Sequence, residues 1–128
     1  MAVIRSFREL NVYQAARQEA QKIFARSRNF PVEERYSLTD QIRRSSRAVK
    51  AMIAEAWGRR RYRAVFINKI DEAPGEATET QSWLDDCLDY GYLSTLEFKQ
   101  MDAAWQSIGA MLNKMIARAD DFCGKSAS

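Results

Sequence analysis

Along four stretches of this chain the apolar and small residues recur every third or fourth position, the period of an α-helix; strand-like alternation between turn dipeptides is not found. The first stripe runs Tyr13, Ala16, Ala20, Ile23, Ser27, Phe30. The second runs Leu38, Ile42, Ser45, Val49, Met52, Ala56, and the third Phe66, Ile70, Ala73, Ala77, Thr80, Leu84, Cys87. The fourth runs Met101, Trp105, Ile108, Leu112, Met115, Ala119, Phe122. Flanking Val12, Phe24, Ile53, Ile67 and Ile116 widen these stripes beyond a two-stranded seam. The economical solution is all-α, an antiparallel up-down-up-down four-helix bundle with helices near 7 to 29, 38 to 57, 62 to 90 and 95 to 122.

The connections support four helices. Asn29-Phe30-Pro31 ends the first, because the residue before proline is pushed out of the helical region. Ser37 with Asp40, and Ser94 with Glu97, place a hydroxyl and a carboxylate where orphan amides begin helices two and four. Gly58 and Gly91 supply left-handed or flexible stops after helices two and three. Pro74-Gly75 interrupts the third stripe and predicts a kink or break near Ala73, since an interior proline costs about 3 kcal/mol. At 128 residues the chain is read as one domain, 1–128, with a short frayed tail over 124–128.

Composition excludes several function classes. The sequence has no histidine, which removes Ser-His-Asp triads, Cys-His pairs, histidine metal sites and the Glu-x-x-His signature of metal-binding bundles. Cys87 and Cys123 are too few for a disulfide scaffold or a zinc knuckle and are expected as reduced thiols. No apolar run approaches the roughly 20 residues of a membrane span, and Arg5, Arg8 and Glu9 break up the first residues, so a cytoplasmic protein without membrane partner is expected. No cofactor or metal is called for. Glu55, Glu79 and Arg44 could be drawn as an acid–base set, but pairing of Arg44 with Glu55 or Glu79 to fix helix register is the preferred role.

Charge is distributed unevenly. Net charge is only +3, yet between positions 43 and 63 the chain carries Arg43, Arg44, Arg47, Lys50, Arg59, Arg60, Arg61 and Arg63 against Glu55 alone. Between 71 and 89 it carries acids, Glu79, Asp85 and Asp86 among them, and no basic residue. On a helical wheel Arg43, Arg44, Arg47 and Lys50 fall on the outward face of helix two, with Arg59, Arg60, Arg61 and Arg63 clustered at the following turn, and Asp71, Glu72, Glu79, Asp85 and Asp86 fall on the outward face of helix three. The basic residues, with Trp57 and Tyr62 interleaved as stacking groups, are candidates for binding nucleic acid. Helix four presents Ala103, Ala110 and Ala117 outward with Met111 beside them, an uncharged face that a second subunit's helix could approach. With Trp83, Glu79, Asp85 and Asp86 these residues are candidates for an oligomer interface.

The string Phe7-Arg8-Glu9-Leu10-Asn11-Val12-Tyr13 resembles the opening of the four-helix-bundle family of 23S rRNA intervening-sequence proteins. Further matches follow in order: Phe30-Pro31 with Glu34, Gln41-Ile42-Arg43-Arg44-Ser45, Ile53-Ala54-Glu55, Ala73 with Gly75 and Glu79, and Gly91-Tyr92-Leu93. Ala56 replaces a glycine common in the family, and Glu76 a serine. The resemblance implies a cytosolic homopentamer without established enzymatic activity. It also implies a distant relation to the accessory variability protein of diversity-generating retroelements, a basic pentamer that binds a reverse transcriptase and nucleic acid. Two functions stay open: a non-enzymatic cyclic oligomer that binds RNA or a nucleoprotein, or a structural bundle whose basic and acidic faces pair between subunits.

Overall fold

The computed structural model describes residues 3–124, and among them there are helices and turns but no strand. Five α-helices occur in order: α1 (Asn11–Ser27), α2 (Leu38–Gly58), α3 (Arg63–Ile70), α4 (Ala73–Asp89) and α5 (Thr95–Ala117). The four long ones close a ring, α1 on α2, α2 on α4, α4 on α5 and α5 back on α1, which is a four-helix bundle. Along α1, contacting residues run in opposite order to those of its two neighbours, α2 and α5. Ser27 at the end of α1 meets Arg43 near the start of α2, whereas Arg17 shares a groove with Lys50. Likewise Arg26 meets Glu97 at the start of α5, and Val12 lies with Met115 at the opposite end.

The stripes are the core. Every residue of the third is buried, and of the others only Phe30, Met52, Met101 and Phe122 are partly exposed. The stripe survives a change in the helix that carries it, because one helix over 62 to 90 is not what forms. The chain breaks at Asp71-Glu72, and Pro74 falls within the first two positions of α4. There its missing amide is one of the donors a helix leaves unbonded anyway, so the interior penalty does not arise.

The helix ends also correct several expectations. Ser94 and Glu97 form the reciprocal capping box as expected. Ser37 does not cap α2 with its side chain; its hydroxyl donates instead to Glu34 Oε1 at 2.6 Å. Gly58 stays inside α2, which ends at Arg59 without a left-handed residue, whereas Gly91 has φ 78°. At that glycine Gly91 N–H reaches the carbonyl of Leu88 and Tyr92 N–H that of Cys87, a Schellman closure of α4. The first helix begins later than expected, a 3-10 turn over Phe7–Glu9 preceding α1, and the last ends earlier, at Ala117. The 3-10 turn Ala119–Asp121 that follows α5 brings Phe122 onto Phe66 of α3, ring centroids 6.0 Å apart. From residue 125 onward the expected frayed tail lies outside the described residues.

Candidate nucleic-acid interface

Consecutive residues on a helix point about 100° apart, and on α2 this divides the basic set. Arg43 turns toward α1. Its Nε donates to Ser27 Oγ at 2.8 Å, and its guanidinium carbon sits 4.7 Å from the centroid of Phe24. Ser27 is fixed in turn by donating its hydroxyl hydrogen to the Phe24 carbonyl at 2.9 Å. Arg47, one turn on, places its guanidinium 5.5 Å from the same ring. Arg44 turns the other way, toward α4, where it lies 3.3 Å from Glu76 Oε2 and also pairs with Glu79. The outward basic face expected for helix two is therefore two flanks, one facing α1 and one neutralised by α4.

The α1 flank continues into a shallow basic groove. Arg17, Gln21, Phe24 and Arg28 line it from α1 and the residue after it, Arg35 from the connection, and Arg43, Arg47 and Lys50 from α2. Among the described residues, Asp40 is the only acidic one lining these depressions. From Arg17 to Arg28 the groove follows α1 for roughly 16 Å. The sequence reading missed Arg17, Arg28, Arg35 and Phe24. Arg17, Gln21, Phe24 and Arg28 nevertheless make a second stripe of three- and four-residue steps beside the apolar one, a signal legible on the wheel.

The second basic cluster, at the turn after α2, is mostly engaged within the chain. Arg59 pairs with Glu55 at 3.5 Å, and Arg63 Nε lies 2.5 Å from Asp120 Oδ1. Arg60 stacks 3.9 Å over Trp57 and donates to that residue's carbonyl at 2.9 Å. Trp57 is itself buried, so its ring is not open to a base. Tyr62 and Arg61 stay exposed, the guanidinium 5.6 Å from the ring. Glu55 binds Arg59 and Lys69 and does not reach Arg44; of the two pairings weighed for Arg44, the one with Glu79 forms.

The residues considered for subunit contacts are dispersed. Ala103, Ala110 and Ala117 are exposed on α5, while Met111 is half-buried in a crevice against the start of α1. Glu79 is held by Arg44 and by Trp83 Nε1, which donates to it at 3.1 Å. Asp85 is exposed and Asp86 half-buried, and among the described residues neither pairs with a cation. Burial, reinforced by Asp89, Asp85 and Glu34, raises the pKa of the Asp86 carboxyl. Cys87 is buried and its thiol is pushed up to about 12, chiefly by that burial. No helix is long and apolar enough to cross a membrane, among the described residues.

Residues 8–114 match the family of 23S rRNA-intervening sequence proteins. The chain belongs to that family. A solved structure of similar fold is a 1.70 Å crystal structure of a protein of unknown function from the S23 ribosomal protein family of Bacteroides thetaiotaomicron. The two chains are 27% identical with a TM-score of 0.75, over 83% of this chain and 95% of that one. Among curated proteins nothing matches. This membership accounts for the motif order from Phe7 to Leu93, and the bundle is the fold on which those motifs fall.

Proposed function

We propose that this member of the 23S rRNA-intervening sequence family is a non-enzymatic RNA-binding bundle that acts as a cyclic homo-oligomer, with the α1–α2 groove as its RNA-binding surface. The observation that carries the reading is the partition of cations: Arg44, Arg59 and Arg63 have acidic partners, whereas Arg17, Arg28, Arg35, Arg47 and Lys50 converge on one groove with no ion pair among the described residues. Cations left unpaired along a groove attract a polyanion and gain from releasing its counterions. A ring of five, the number the family resemblance implies, would raise the net charge from +3 per chain to about +15. RNA carried by a nucleoprotein such as a reverse transcriptase would present the same phosphates.

The test is a titration of a labelled single-stranded RNA by fluorescence polarisation across about 50 to 200 mM salt. Each phosphate contact contributes about 0.7 to the logarithmic salt slope, so Arg47→Ala with Lys50→Ala lowers the slope by roughly 1.4. Arg59→Ala with Arg63→Ala, which removes cations already paired, lowers it less. No salt-sensitive affinity at about 100 mM, or a groove variant that binds like the wild type, overturns the reading.

A second reading rests on the uncompensated Asp85, Asp86 and Asp89. Such an acidic patch suits a head-to-tail contact with the basic groove of a neighbouring subunit. It predicts that the groove variant loses its oligomer, whereas the RNA reading predicts that it keeps it.

A further inference from the structure

We propose that Phe24 and Ser27 hold Arg43 and Arg47 as a preformed clamp for a phosphodiester group of a polynucleotide. The inference rests on the RNA-binding reading above and goes to the chemistry of one subsite within it.

Arg43 is restrained in two ways. Ser27 Oγ accepts from its Nε at 2.8 Å, and the Phe24 ring lies under its guanidinium at 4.7 Å. Ser27 is 2% exposed and bonded to the Phe24 carbonyl, so this acceptor is fixed in the packed helix pair rather than offered by a mobile surface group. With Nε and one face taken, the two terminal nitrogens remain, and among the described residues they have no acceptor. A guanidinium fork presents two parallel N–H groups to a phosphate, the geometry that makes arginine a bidentate phosphate ligand. Arg44 is the internal contrast, because its terminal nitrogens are satisfied by Glu76 and Glu79.

Arg47 completes the subsite. It follows Arg43 by one helical turn, a rise of about 6 Å, and its guanidinium sits 5.5 Å from the same ring. Phe24 is 41% exposed, and both guanidinium groups lie against its ring, Arg43 at 4.7 Å and Arg47 at 5.5 Å from the centroid. Here it orders two long cationic side chains before ligand arrives, which removes much of the rotamer entropy that binding would otherwise cost. Phe24 is thus a positioning residue; the groups that touch phosphate are Arg43 and Arg47.

The experiment compares Phe24→Leu, Phe24→Trp and Ser27→Ala with the wild type in the single-stranded RNA titration, alongside thermal melts. Phe24→Leu keeps an apolar side chain and every charge but loses the aromatic face, and affinity is expected to fall about fivefold with an unchanged melting temperature. Phe24→Trp restores the face and the affinity. Ser27→Ala frees Arg43 Nε and weakens binding to a similar degree. Inorganic phosphate alone is expected to compete only weakly, and tight competition by it would replace the polynucleotide with a free anion. Wild-type affinity in Phe24→Leu, with binding lost in Arg43→Ala/Arg47→Ala, overturns the clamp and leaves the RNA reading standing. Absence of RNA binding by the wild-type protein overturns both.

Discussion

Ser45 Oγ and Thr80 Oγ1 lie 2.8 Å apart, both wholly buried, and tie α2 to α4 by a hydrogen bond inside the core. Thr80 also donates to the Glu76 carbonyl at 2.9 Å, so the direction that satisfies both hydroxyls has Ser45 donating to Thr80. Among the described residues, the other acceptor within reach of the Ser45 hydroxyl is the Ile42 carbonyl, at 3.4 Å. Thr80→Val is expected to cost about 1 to 3 kcal/mol, because it strips a buried donor of its good partner. Adding Ser45→Ala should recover part of that loss. Urea melts of the two single variants and the double variant measure the coupling, and strictly additive losses would show that the two hydroxyls do not share a bond.

The stripes could be read from sequence because burial on a helix depends only on period, and the period continues through Phe66, Ile70, Ala73 and Ala77 even though the helix itself breaks between Ile70 and Ala73. The break was half legible. Pro74 marks the place, but whether a proline kinks a helix or starts a new one depends on whether the preceding residues can leave the helical bond pattern, here Asp71 and Glu72. The site is less legible because a helical wheel divides α2 into one inward and one outward face. In a ring of four, the positions beside the stripe face neighbours on both flanks, so Arg43 and Arg44, adjacent in sequence, end with different partners. Long-range acids such as Asp120, which engages Arg63, carry no local signal at all.

Glu97 serves two elements at once. Its carboxylate pairs with Arg26 of α1 at 2.7 Å and accepts from the Ser94 amide at 2.9 Å, and the Arg26 hydrogen bond is the main reason its pKa is lowered to about 2. A carboxylate whose folded pKa is lowered stabilises the fold above its ordinary value near 4.3 and loses that contribution as pH falls toward 2. Glu34, also lowered by its bonds from Ser37 and Tyr92, acts with the same sign, whereas the raised Asp86 acts with the opposite one. Thermal melts between pH 6 and 2 should therefore show a steeper decline for the wild type than for Glu97→Gln, in which glutamine can still close the capping box. Parallel curves would mean that Glu97 carries no linkage.

The two cysteines should differ in reactivity. Cys87 is buried in α4 with its thiol pushed up to about 12, so almost no thiolate exists at pH 8. Cys123 is also raised by burial, but it is only partly covered and follows the last 3-10 turn. Brief alkylation of the native protein is expected to modify Cys123 first, and Cys87 only once the bundle is unfolded in denaturant. Peptide mass mapping reads the order, and equal native labelling of both would contradict the packing around Leu84 and Cys87.

The last prediction concerns the uncharged face of α5. Ala103, Ala110 and Ala117 recur every seven residues and are exposed, on a side of the helix away from the buried Trp105, Ile108 and Leu112. Alanine is the best helix former, so these residues could be there for helix propensity alone; an interface makes a further demand that propensity does not. A large charged side chain at the centre of a close helix contact cannot be desolvated cheaply, whereas on a solvated face it changes stability by about 0.5 kcal/mol or less. Ala110→Glu is therefore expected to lower the mass measured by light scattering at micromolar concentration while leaving the helical circular dichroism signal intact. Ala110→Ser, small and neutral, should keep the wild-type mass. An unchanged oligomer in Ala110→Glu would move the subunit contact elsewhere, and a wild-type protein that is monomeric at that concentration would remove the ring altogether.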